Sequence, residues 1–145
     1  MQSQGFSLFE MLIVLLILGI LLSFAYPSYQ MYWTRAHRLE GQIALLDLAN
    51  KMEQYFTNYG TYAQASIGSH SEHDVLPTAY TSQGWYALSI QTASDTHYNL
   101  QAIPQNSQAQ QDLRCQSLQI NDQGIQSIAA GPGRNPTGNW EECWK

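Results

Sequence analysis

At 145 residues the chain is long enough for one domain with a modest core. A net charge of −5 and a charged fraction of only 12% exclude a nucleic-acid protein built on bulk positive charge, because phosphate binding runs on clustered Lys and Arg. Gln, Ser, Thr and Asn supply much of the polar surface, and nearly all the strong hydrophobicity lies in residues 1–30.

Met11 to Tyr26 reads MLIVLLILGILLSFAY, with only Ser23 polar. Together with Phe6 to Glu10 this is just long enough to span a bilayer as a helix. A conventional signal peptide would need a positive n-region and a small-residue cleavage site after the apolar core. Met1 to Gly5 carries no Lys or Arg, and Tyr26-Pro27-Ser28-Tyr29 is a poor small-x-small site. Glu10 is the anomaly. A carboxylate costs about 2–3 kcal/mol at the centre of a membrane helix, less near an interface, and needs a partner there. It could simply mark the helix start, near the positive end of the dipole. A cut before Phe6 would provide a better partner, a free cationic amine one turn before Glu10 or on a neighbouring chain.

Gly5-Phe6-Ser7-Leu8-Phe9-Glu10, followed by the long apolar run, resembles the class III leader of type IV prepilins. The resemblance implies a prepilin peptidase that cuts after Gly5 and methylates the amine of Phe6, which leaves Glu10 as the fifth mature residue. It also implies residence in the bacterial inner membrane with the globular domain outside, and then assembly with other pilin subunits into an extracellular pilus by inner-membrane machinery. Arg35 and Arg38 follow the run closely, and the positive-inside rule alone would place that side in the cytoplasm. The motif and the cysteine pair discussed below argue for the opposite orientation. Gly19 and Pro27 match positions where pilins are similar. Proline removes a backbone donor and frees the carbonyl of Ser23, so a kink is expected there.

From Ser28 to Tyr59 the pattern stays helical. Leu45, Leu48, Met52, Tyr55 and Tyr59 recur every three or four residues, and Leu39, Ile43, Leu46 and Ala49 form an adjoining stripe. Both are expected to serve a core, with Gly60 as the C-terminal cap. The stretch from Lys51 to Tyr62 resembles the end of this helix in minor pilins of the PilE kind. Residues 63–82 are polar and read as a loop. His70-Ser71-Glu72-His73 within it is too little for zinc, which wants four well-placed ligands, so no metal or other cofactor is expected.

Strands follow over 85–91, 97–102, 116–121 and 126–129, with Asp122-Gln123-Gly124 as a hairpin turn. Gly131 to Pro136 reads as a loop. Cys115 and Cys143 are the two cysteines, and an even count behind an export-type N-terminus reads as one disulfide. Such a bond would tie the tail back to the sheet, for about 3 kcal/mol on loop entropy. The expected fold is α+β, a type IV pilin fold in which a long kinked helix packs on an antiparallel sheet of three or four strands. The expected organisation is a leader over 1–5, a membrane and filament-core helix over 6–27, and a globular domain over 28–145.

No Gly-rich phosphate loop, supported Ser-His-Asp arrangement or cofactor fingerprint is present, so no enzyme is expected. A structural subunit of a type IV pilus, a minor pilin, is the leading reading. A pilin that receives DNA would need exposed Lys and Arg with stacking aromatics, and only Arg114, Arg134 and Lys145, with Trp85, Trp140 and Trp144, are on offer outside the long helix. A type II secretion pseudopilin shares the leader and is the third reading.

Overall fold

The computed structural model describes residues 7–145, and the chain divides into two compact units, the first ending at Arg35 and the second running Ala36–Lys145. The expected cleavage and methylation residues Gly5 and Phe6 lie outside the described residues. Among the described residues, helix α1 (Leu8–Tyr59) supplies the first unit's regular structure and the opening helical segment of the second.

In the second unit, β1 (Ser66–Ile67) and β2 (Asp74–Leu76) pair in parallel. Then come β3 (Tyr86–Ala93), β4 (Tyr98–Pro104), α2 (Asn106–Gln111), β5 (Ser117–Asn121), β6 (Gln126–Ala129) and α3 (Trp140–Cys143). The sheet has the order β3-β4-β5-β6 and every pairing is antiparallel, as expected of an up-and-down arrangement. Asp122-Gln123-Gly124 does turn between β5 and β6: Gly124 takes a positive φ and donates its N–H to the Asn121 carbonyl.

Leu45, Leu48 and Met52 of α1 are fully buried against Tyr86, Leu88, Leu100, Ala102, Leu118 and Ile120 of the sheet. These are the alternate residues of each strand, so one sheet face carries the core. Gly41 lets helix and sheet close: a Cβ there would stand 2.9 Å from the Tyr86 ring. Gly60 caps α1 with φ +72 and a bond from its N–H to the Phe56 carbonyl.

Two expectations need correction. Of the adjoining stripe only Ala49 packs against the core; Leu39, Ile43 and Leu46 are 55%, 60% and 43% exposed, and Tyr59 at the end of the main stripe is 46% exposed. The sheet covers only one sector of the helix, and the adjoining sector stays mostly bare. Nor is 63–82 an irregular loop. Asp74 holds it together by accepting from Ser66 Oγ (2.6 Å), Ser69 Oγ (2.6 Å) and the His70 N–H (2.6 Å). Those hydroxyl bonds hold the Asp74 carboxyl far below the usual carboxylate range. Short polar side chains thus replace the ladder that so short a strand pair cannot supply.

Candidate functional site

The first unit is a bare apolar helix. Leu8 to Leu22 exposes every large aliphatic side chain, and α1 is long and apolar enough to cross a membrane. The Ser7 carbonyl accepts from the N–H groups of Glu10 (3.0 Å) and Met11 (3.2 Å), so Glu10 sits in the first turn, where the dipole favours a carboxylate. Helical assignment continues through Gly19 and Pro27. Around the proline, Ser23 Oγ donates back to the Ile20 carbonyl (2.6 Å) and Ser28 Oγ to that of Phe24 (3.4 Å), bonds of the kind that loosen a helix.

Beyond the run, Tyr26, Tyr29 and Tyr32 are 65%, 60% and 70% exposed. Trp33 meets Tyr29 edge-on at 5.9 Å and Tyr32 at 6.5 Å.

In the second unit the helix is tied to the C-terminal half of the chain by polar contacts. Arg38 grips Asp112 with two bonds, Nε at 2.9 Å and Nη2 at 2.8 Å, and the Asp112 side chain is only 1% exposed. Asp112 also accepts from Gln108 Nε2 (3.3 Å) and the Cys115 N–H (3.3 Å). Gln108 Nε2 reaches the Tyr86 hydroxyl at 3.1 Å. Burial, then the Asp112 charge, pushes that phenol above its ordinary value. One turn further along α1, Gln42 Nε2 donates to the Cys143 carbonyl (2.6 Å). Cys115 and Cys143 are disulfide-bonded and both buried. At the far end of α1, Glu53 accepts from the hydroxyls of Tyr62 (3.0 and 3.1 Å) and Tyr98 (3.0 Å).

The arrangement disperses the charges a nucleic-acid surface would use. Arg38 is spent on Asp112, and Arg114 pairs with Glu142. Arg134 stands at the base of a tight turn, where it exchanges backbone bonds with Gly131. Trp85 stacks on His37 at 3.8 Å, Trp144 Nε1 donates to the Ser127 carbonyl, and Trp140 remains 48% exposed. Neither α2 nor α3 is visible in the sequence, because such short helices carry no apolar period. The Arg38–Asp112 pair joins positions 74 apart, which no local pattern could signal.

Residues 1–26 match the model of the prokaryotic N-terminal methylation motif. Residues 27–119 match the family described as type IV minor pilin ComP, DNA uptake sequence receptor. The chain belongs to this type IV minor pilin family.

This minor pilin is also similar to a fimbrial protein of Neisseria meningitidis serogroup A, at 34% identity over 74 residues, covering 50% of this chain and 44% of the relative. A type IV major pilin protein PilE1 of Neisseria gonorrhoeae is 30% identical over 91 residues, covering 63% of this chain and 40% of the relative. The chain thus spans less than half the length of these relatives. Among solved structures, the non-core minor pilin PilV of Neisseria meningitidis matches with TM-score 0.49 and 21% identity, over 74% of this chain and 98% of that one. The apolar helix and the methylation motif fit a membrane-anchored pilin that enters a pilus.

Proposed function

We propose that this minor pilin is cut after Gly5, methylated on Phe6 by a prepilin peptidase, and held in the inner membrane with its second unit in the periplasm. Inner-membrane pilus machinery then moves it into the filament, where its helix packs against those of other pilins. The observation that carries this reading is an apolar helix with every large aliphatic side chain from Leu8 to Leu22 exposed, opened by a lone carboxylate at Glu10 behind a methylation motif. In a dry helix bundle an unpaired Glu10 is costly, and the amine of a neighbouring Phe6 neutralises it. The leader, the cationic amine and Glu10 then form one device: cleavage creates the charge that assembly consumes. The oxidised Cys115–Cys143 pair supports a periplasmic second unit. Glu10→Ala is expected to leave cleavage intact, with the chain starting at Phe6 and carrying one added methyl, yet to remove it from sheared filaments. Normal incorporation of that variant refutes the pairing.

A second reading, in which the second unit receives DNA during uptake, is favoured by the family match over residues 27–119. With a net charge of −5, such binding would rest on a few contacts, Arg134 and the exposed Trp140 among them, rather than on a basic field. Gel shifts across a salt series test it. Binding to duplex DNA at low salt, with a shallow salt slope, supports it, and no binding at any salt removes it.

A further inference from the structure

From Met11 to His37 the chain carries a single Lys, Arg, Asp or Glu, and it is Arg35. Four amphipathic aromatics precede it within ten residues: Tyr26, Tyr29, Tyr32 and Trp33, all of them on the first unit and all more than 40% exposed. Helix rise sets their depth. Leu8 to Tyr26 covers about 27 Å at 1.5 Å per residue, close to the roughly 30 Å hydrocarbon core of a bilayer. With the helix start at one boundary, Tyr26 stands at the other. Tyr29 follows about 4.5 Å further out and Trp33 about 10 Å. Side chains on a helix lean toward its N-terminus, so the rings of Tyr32 and Trp33 fall back toward the bilayer, into a polar layer some 5–7 Å deep. Arg35 leans the same way and can set its guanidinium against a phosphate while its stem lies along the aromatics.

We infer that Tyr26, Tyr29, Tyr32 and Trp33 form a belt seated in the lipid headgroup layer at the second-unit end of the span before assembly, with Arg35 on an anionic lipid phosphate. The inference rests on the membrane-anchored reading above. Tyrosine and tryptophan gather at such interfaces because each has an apolar body and one polar atom that must stay wet. Arg38, three residues on from Arg35, is engaged by Asp112 inside the second unit, so Arg35 is the arginine offered to the lipid surface.

The test uses the full chain in phosphatidylcholine–phosphatidylglycerol vesicles whose acyl chains carry bromines either near the headgroup or near the bilayer centre. The Trp33 signal is taken as the difference between the wild type and Trp33→Phe. Quenching about twofold stronger by the shallow bromines is expected for a ring at headgroup depth. Stronger quenching by the deep bromines, or none by either, overturns the belt. Quenching that fades as the protein-to-lipid ratio rises assigns the aromatics to a second copy of the chain and overturns it too. Arg35→Gln is expected to abolish the shift in Trp33 emission between vesicles with and without phosphatidylglycerol, and an unchanged shift removes the phosphate contact. A chain that does not float with the vesicles fails the anchored reading itself, and the belt with it. Flotation without shallow quenching fails the belt alone.

Discussion

Replacing Arg38 by Met keeps most of the side-chain stem and removes the charge from a carboxylate that is 1% exposed. Removing one partner of a buried pair commonly costs about 3–5 kcal/mol, because the other charge stays desolvated. Here Asp112 keeps the N–H groups of Gln108 and Cys115, each at 3.3 Å, which partly solvate the orphan. The cost therefore sits at the low end, about 3 kcal/mol. Arg114 provides an internal control. It pairs with Glu142, but both side chains are more than half exposed, so Arg114→Met is expected to cost under about 1 kcal/mol. Denaturant unfolding of the chain in micelles, followed by circular dichroism and tryptophan fluorescence, measures both. The Arg38 effect is expected to persist in high salt and the Arg114 effect to vanish. An Arg38→Met loss below about 1 kcal/mol, or one that salt erases, would show that the Asp112 pocket is wet and that the pair does not fasten the helix.

Reducing the disulfide, which closes a 28-residue separation, is expected to lower stability by roughly 3–4 kcal/mol, read as the shift in urea midpoint with and without reductant. Ile43→Glu, placed in the exposed stripe between Leu39 and Leu46, is expected to leave the unfolding midpoint within about 0.5 kcal/mol of wild type while depleting the chain from sheared filaments. A large midpoint loss would return the stripe to the core. Burial and the Glu53 bond raise the Tyr62 phenol to about 12, and burial raises Tyr98 and Tyr86 as well. Since the folded form holds these protons more tightly, their contribution is intact below the ordinary phenol range and is lost as pH climbs from about 10 toward 12. Tyrosinate absorbance is expected to appear together with loss of the circular dichroism signal, and smooth ionisation with the fold retained would contradict the burial.

The parts of this molecule written in local periodicity were legible. Leu45, Leu48 and Met52 announce a helix face, Tyr86, Leu88 and Ile90 alternate toward one side of a strand, and Gly60 and Gly124 stop and turn the chain where backbone sterics require it. One face of the helix was legible, but not how far around the helix the core would reach. Leu39, Ile43 and Leu46 are as apolar as their neighbours, and only the width of the sheet decides which stripe is covered. Polar ties that join distant positions escaped for a different reason. Nothing in Arg38 or Asp112 alone tells a partnered charge from a solvated one, and Asp74 reads as loop composition until three donors close on it. The anchoring segment was the plainest of all, because the bilayer imposes length and polarity directly on consecutive residues.

Two of the ties on α1 end at the disulfide, one close to Cys115 and the other on Cys143 itself. Arg38 pulls on Asp112, three residues before Cys115, and Gln42 pulls on the carbonyl of Cys143, which is covalently joined to Cys115. A tensile load on this part of the helix therefore reaches the disulfide-closed loop from both of its ends, directly at Cys143 and, at Cys115, through the three residues from Asp112. The loop cannot peel open while its sulfur bond stands. Resistance of this kind is a matter of rupture rate more than of equilibrium stability. Oxidation of Cys115 and Cys143 would thus set how long the second unit survives under tension, a property separate from how stable it is at rest.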